Sequence, residues 1–272
     1  MTNTPIDRWW ESPMNRALVV ITAVCGVLTA TVSQAVPINH GDRVGTTVTY
    51  LQVTEDVASP GDSTPLFGSP TISGDSLDFD PISFTASATG AGGVDTTAAN
   101  VEFDIQAHTN NFIQTVYLTE AGNTTLAGFG TNATFTSVTG NIEIDIEQVD
   151  GLPVPGGSLN FTTAMTFTPS GGTYALGTDG GGGPVFNTSW SGIALIDIDS
   201  ILNANSIPFV GGATLVTVSL TNTLVALSEN GTQSLITKQD ADGITITVNV
   251  PEPTTLAMGI AAIAGLAGLR RR

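Results

Sequence analysis

The chain has 272 residues, with 24 acidic against 7 basic side chains, a formal net charge of −17 at pH 7 and only 11% charged residues, where soluble proteins carry roughly 25%. That balance excludes a nucleic-acid-binding surface, which needs clustered cations to displace counterions from phosphates, and a single cysteine, Cys25, excludes an internal disulfide framework and a multi-cysteine zinc site. With 31 Gly, 14 Pro and 41% hydrophobic residues, the composition fits a turn-rich β-protein with a buried core rather than a disordered chain.

The first segment reads as an export signal. Asn15-Arg16 precedes an uncharged apolar run over residues 17–30, and Ser33-Gln34-Ala35 places small residues at the two positions that signal peptidase reads. Residues 1–35 are therefore expected to form a signal-peptide helix that engages the Sec machinery and is cleaved between Ala35 and Val36. The run is short for a hydrocarbon core of about 30 Å, which sets it apart from a permanent anchor. Upstream, Asp7 and Glu11 cancel Arg8 and Arg16, whereas Met14-Asn15-Arg16 supplies the positive start that such a signal needs, so Met14 is the expected start. Cys25 follows Val24, not a small residue, which argues against lipidation.

Downstream the chain is acidic. Between residues 36 and 253 the only cations are Arg43 and Lys238, against 22 acids (the 24 of the chain less Asp7 and Glu11), a net charge of −20. Period-two alternation dominates. Val101, Phe103 and Ile105 alternate with Glu102, Asp104 and Gln106. Ile142, Ile144 and Ile146 alternate with Glu143, Asp145 and Glu147, and Ile244, Ile246 and Val248 with Thr245, Thr247 and Asn249. Each pattern predicts a strand with one dry and one solvated face. Further runs rich in Thr, Val, Ile and Phe over residues 44–53, 82–88, 112–118, 133–138, 159–167, 193–198 and 213–220 suit the same pleated surface. Turn signals separate them at Pro60-Gly61-Asp62, Ser73-Gly74-Asp75, Gly90 to Gly93, Asp150-Gly151, Gly156-Gly157, Asn230-Gly231 and Asp242-Gly243. The expected fold is all-β, an antiparallel β-sandwich or jelly-roll-like exodomain over residues 36–249, with a brief helix near residues 200–204 and Gly180 to Gly183 as a surface loop.

Little in this region assembles into chemistry. His40 and His108 are the only histidines, and neither has the spacing of a hydrolytic triad or a zinc site. The glycine run at Gly180 to Gly183 lacks the lysine and helix of a phosphate loop. A glycosidase would need paired carboxylates and an aromatic sugar platform, and Trp190 is the only tryptophan after the signal segment. Asp75, Asp78 and Asp80, ahead of Pro81, are expected to form a compact oxygen-rich loop that is a candidate Ca²⁺ site, as are Asp240 and Asp242; neither has EF-hand spacing, and solvated turn carboxylates are the alternative.

At the C-terminal side, Val250-Pro251-Glu252-Pro253 precedes an apolar stretch over residues 254–269, followed by Arg270, Arg271 and Arg272. As a helix the stretch would span about 24 Å, which snorkelling arginines extend toward a full crossing. A single transmembrane helix is expected, its Arg cluster cytoplasmic by the positive-inside rule and everything upstream outside. The signal segment imposes the same orientation.

This order of tripeptide, apolar span and basic cluster resembles a PEP-CTERM sorting tail. The resemblance, over residues 250–272, implies that Pro251, Glu252 and Pro253 are processing determinants read by exosortase, a membrane-embedded cysteine protease-like transpeptidase of Gram-negative bacteria. It implies that residues 254–269 cross the inner membrane transiently and that Arg270 to Arg272 stop transfer. Such tails are associated with exopolysaccharide and biofilm production. Physically, the two prolines fix φ and keep Glu252 in an extended segment that a protease cleft can read. Pro65-Leu66-Phe67-Gly68 followed by residues 74–81 also resembles a group of exported proteins with this tail, and brings no activity with it.

These readings give a non-catalytic exported protein of the cell surface or extracellular matrix, with no required cofactor. A polysaccharide- or Ca²⁺-binding module is the alternative, and a carboxylate-based glycoside hydrolase a third.

Overall fold

Ile142, Ile144 and Ile146 are fully buried, as their alternation with acids predicts, in a computed structural model that describes residues 36–59, 61–63, 65–81, 83–239 and 244–249. The signal segment with Met14, Cys25 and Ala35, the pair Asp240 and Asp242, and the tail with Pro251, Glu252, Pro253 and Arg270 to Arg272 lie outside the described residues. Among the described residues no helix is long and apolar enough to cross a membrane.

The strands are β1 (Ile38–Val44), β2 (Val48–Val57), β3 (Thr71–Ser73), β4 (Ser76–Phe79), β5 (Thr85–Thr89), β6 (Gly93–Ala107), β7 (Thr115–Ala127) and β8 (Phe135–Val149). They continue with β9 (Leu152–Pro153), β10 (Leu159–Ala164), β11 (Thr166–Thr168), β12 (Thr173–Ala175) and β13 (Val185–Asp197), then helix α1 (Ile198–Ala204), β14 (Ala213–Ser228), β15 (Gln233–Lys238) and β16 (Ile244–Asn249). One sheet runs β1-β2-β6-β14-β8-β10, with β9 and β12 also on β8; the other runs β11-β13-β7-β16-β4-β3, with β15 on β7 and β5 on β15. Strand pairing is antiparallel throughout. Strand β7 is shared lengthwise: Thr115–Glu120 pairs with β16 and Gly122–Ala127 with β15.

The two inner faces share one core. Tyr50 and Phe103 meet edge to face at 5.7 Å, and Phe67 packs the same way on Phe84 at 5.2 Å and on Phe79 at 5.9 Å. Burial of each such ring contributes on the order of 1.5–3 kcal/mol. Toward the β6 N-terminus and the β7 C-terminus the interior changes character. The Thr124 and Thr136 hydroxyls bond to each other, Thr134 Oγ1 lies 2.6 Å from Thr232 Oγ1, and Thr97 Oγ1 donates to Thr85 O at 2.7 Å. Ala86, Ala88, Ala226 and Ser234 fill the space between.

Polar inward positions explain where the strands outrun the hydrophobic pattern. Alternation of apolar residues is interrupted after Leu118 and Leu220, yet β7 continues to Ala127 and β14 to Ser228, because the inward positions pass through Glu120, Gly122 and Thr124 before Leu126 on β7 and through Asn222 before Leu224, Ala226 and Ser228 on β14. The run over residues 159–167 is two strands rather than one. Strand β10 pairs with β8 in the first sheet and β11 with β13 in the second; Met165 is the corner between them, buried, with its amide donating to Gly140 O at 2.8 Å. Helix α1 begins at Ile198 because Asp197 caps it, its carboxylate accepting from Ser200 N at 2.9 Å and Ser200 Oγ at 2.8 Å.

Candidate functional site

The outer face of the first sheet is built by the register of its long strands. Thr162, Glu143, Ser219, Glu102 and Thr54 stand side by side across β10, β8, β14, β6 and β2, and the next rows add Asn160, Asp145, Thr217 and Asp104, then Asn141, Thr221, Asn100 and Asp56. Hydroxyls and amides tie the carboxylates into place. Thr217 Oγ1 donates to Asp104 Oδ1 at 2.7 Å, Asn160 Nδ2 donates to Glu143 Oε1 at 2.5 Å and Asp145 Oδ1 at 3.2 Å, and Ser219 and Thr221 both donate to Asn100 Oδ1. A shallow depression of about 280 Å³ opens on this face beside Gln52, Thr54, Asp56, Asn100, Glu102 and Asp104. The face is anionic and hydroxyl-rich, without an aromatic platform.

The cations do not offset this charge. Arg43 is turned to backbone, its Nε donating to Pro70 O at 3.0 Å and its Nη1 to His40 O at 2.7 Å. Lys238, which the sequence presents as one of two cations in an acidic exodomain, is buried, at 5% exposure. Its Nζ donates to Glu120 Oε2 at 2.6 Å, and Glu120 Oε1 accepts from Asn222 Nδ2. Sequence reasoning missed this group. Glu120 falls in a run of Thr, Ala and Gly with no apolar alternation, and its partners lie 118 and 102 positions away.

Asp75, Asp78 and Asp80 do not make a loop. Residues 76–79 are strand β4, and Asp75 lies in the two-residue turn joining β3 to β4. The Asp75 carboxylate is bound by Thr47, Oδ1 accepting the amide at 2.7 Å and Oδ2 the hydroxyl at 2.6 Å. Among the described residues no three His, Cys, Asp or Glu side chains group as metal ligands. The histidines are structural contacts: His40 Nε2 lies 3.3 Å from Glu55 Oε2, and His108 Nε2 lies 2.9 Å from Thr49 Oγ1. Glu55 is itself fully buried and accepts the amides of Leu66 and Phe67. At the far end of the sandwich Asp150 accepts the amides of Val210, Gly211 and Gly212 at 2.7, 2.8 and 3.2 Å. Desolvation pushes its carboxyl up, but the three amides together outweigh that and hold it below the ordinary value.

Strand β16 pairs its last residue, Asn249, with Thr115 at the start of β7. Residues 249–272 match the PEP-CTERM protein-sorting motif, so the motif begins where the last described strand ends. The chain contains a PEP-CTERM sorting motif, the mark of an exosortase substrate. Like other proteins carrying this motif it is exported as a membrane-anchored precursor. No curated protein matches the PEP-CTERM chain. Among solved structures, the enzymatically active domain of bacteriophage CBA120 tailspike protein 4 aligns over 80% of this chain and 20% of its own, at 11% identity and a TM-score of 0.18. A structure of the infectious bursal disease virus Gt strain aligns over 82% of this chain and 57% of its own, at 10% identity and a TM-score of 0.10. The chain thus spans less than two thirds of either, and scores this low carry no argument about fold or activity.

Proposed function

We propose that this PEP-CTERM protein is a non-catalytic component of the cell surface or extracellular matrix. Its signal peptide is removed at Ala35-Val36, its exodomain folds outside the inner membrane, and exosortase then acts at Pro251, Glu252 and Pro253 while Arg270 to Arg272 hold the span in place. The observation that carries this reading is the sorting motif, which starts at Asn249, the residue that closes β16. The surface chemistry fits the destination. An anionic face, with Arg43 and Lys238 both committed to contacts elsewhere in the fold, keeps copies apart in solution, and it offers hydroxyls and amides to a hydrated matrix. Since the same charge repels anionic glycans, association with exopolysaccharide is assigned to the processed end of the chain rather than to the sheet face.

Terminal-peptide mass spectrometry on protein from native envelope and medium tests both ends together, in cells with and without exosortase. The expected mature chain starts at Val36 and lacks residues 256–272 only where exosortase is present. Persistence of Arg270 to Arg272 on the mature envelope protein would replace this reading with a permanently anchored exodomain.

A further inference from the structure

Three side chains from three strands meet inside the sandwich. Lys238 closes β15, Glu120 lies on β7 and Asn222 on β14, so the group bridges the two sheets. Glu120 and Asn222 are 1% and 0% exposed, and the side chain of Lys238 is wholly buried. Each oxygen of the Glu120 carboxylate holds one of the other two: Lys238 Nζ on Oε2 at 2.6 Å, Asn222 Nδ2 on Oε1. An amine and a carboxamide are thereby set on either side of a single proton acceptor. The surroundings are aromatic, with Nζ 5.3 Å from the Phe84 ring centroid and 5.6 Å from that of Trp190. Asn222 Oδ1 and Trp190 Nε1 are buried without a hydrogen-bond partner.

Stability alone accounts poorly for this arrangement. A buried ion pair gains little over a well-packed apolar replacement, and a carbonyl oxygen left unpaired in the core is a cost. Amine, amide and carboxylate in a dry pocket are instead the components of an amide-exchange reaction. We propose that Lys238 and Asn222 join in an autocatalytic intramolecular isopeptide bond, with Glu120 carrying the protons.

The chemistry balances without a cofactor or a redox partner. Burial pulls the Lys238 ammonium below its usual pKa, which the charge and hydrogen bond of Glu120 oppose. Transfer of its proton to Glu120 leaves a neutral amine beside a neutral acid, the form that an apolar pocket favours. Nζ then attacks Asn222 Cγ, and the carbonyl electron pair moves to Oδ1. Glu120 gives its proton to Nδ2 and takes another from the attacking nitrogen. Collapse restores the C=O and breaks the Cγ–Nδ2 bond, and ammonia departs. One C–N bond forms, one breaks, and the last proton remains on Glu120. The product would lock β15 to β14, sheet to sheet, just ahead of the strand that leads into the sorting motif. Load applied through the tail would then reach the sandwich through a covalent bond.

The test uses the full chain expressed in its native host, purified from envelope or medium, denatured and digested with a Glu-specific protease. Cleavage after Glu147 and Glu229 puts Asn222 and Lys238 in different peptides unless they are joined. The expected result is a branched peptide pair lighter by one ammonia than the sum of its parts, with fragment ions placing the branch at Lys238 and Asn222. Recovery of the two peptides separate and unmodified from folded wild-type protein overturns the proposal, whatever the variants do. Asn222→Asp should still link, now with loss of water, whereas Lys238→Arg and Glu120→Gln should yield unlinked peptides. A linked peptide from Glu120→Gln would overturn the role given to the carboxylate. None of these outcomes depends on exosortase processing, so this inference and the sorting assignment fail separately.

Discussion

Asp75 and Thr47 join the two sheets through one carboxylate, Oδ1 on the threonine amide at 2.7 Å and Oδ2 on its hydroxyl at 2.6 Å. Thr47 leads into β2 of the first sheet and Asp75 turns β3 into β4 of the second. Tyr50 adds a third link, its hydroxyl donating to Asp75 O at 2.6 Å. The approach is close enough to require Gly45, where a Cβ would sit 2.7 Å from Asp75 Oδ1 and 2.8 Å from Gly74 O.

Because that carboxylate is bound by protein donors, Asp75→Ala should lower unfolding free energy by about 1–2 kcal/mol, the range for a partly exposed charged acceptor whose donors lose their partner. A Ca²⁺ chelator should leave the midpoint of the wild-type protein unchanged. Urea melts with and without chelator check both; a chelator-sensitive midpoint that Asp75→Ala abolishes would return the aspartate to a metal.

Gly122 sits beneath the buried lysine, on β7 where it faces Trp190. A Cβ there would overlap both Thr237 O and the Trp190 ring, and backbone cannot move aside as a flexible side chain can. Gly122→Val should therefore cost about 3 kcal/mol or more, with loss of the near-ultraviolet signal of the packed indole. Gly231→Val, at a turn where a Cβ meets nothing within 4 Å but φ is +78°, should cost less, about 1–2 kcal/mol of backbone strain.

In an Asn222→Leu background, where Lys238 has no carboxamide to join and stays paired with Glu120, Lys238→Met leaves the Glu120 carboxylate buried without a donor, and breaking a buried pair in this way costs about 3–5 kcal/mol. Glu120→Leu added to Lys238→Met should recover a large part of that loss, since no buried charge is then left alone. A double-mutant cycle by chemical denaturation reads the coupling. Additive losses in the double variant would show that the two charges do not depend on each other.

Asp150 gives the molecule an acid-sensitive tie. Its folded pKa lies below the ordinary value of 3.8 because three amides donate to it, so its contribution is complete above the unfolded pKa and is lost as pH falls through the folded one. In Asp150→Asn the acid limb of a plot of melting temperature against pH should be shallower than in wild type, while the difference above pH ~5 stays constant. Exposure screens the effect, so a shift of a few degrees is the expected size. Parallel curves down to pH ~2 would remove Asp150 from the acid response.

Where a pattern is local, the sequence carries it in full. The alternation at Ile142, Ile144 and Ile146 is enough for a half-buried strand, Asp150-Gly151 is enough for a turn in which both residues have positive φ, and the Pro-Glu-Pro tripeptide, apolar span and Arg cluster are enough for the sorting motif. Each is read by a neighbour a few residues away, whether that neighbour is water, a turn or a protease cleft. The tertiary structure alone decided the rest. It extended β7 to Ala127 and β14 to Ser228 through polar inward positions that look like loop, because Glu120 with Asn222 and Thr124 with Thr136 satisfy each other only across the closed sandwich. It sent the chain from one sheet to the other at Met165. It also took Lys238 out of water and set it against Glu120, 118 residues earlier. The reason is the same in each case: whether a polar group is solvated or paired depends on what packs against it, and those partners are distant in the chain.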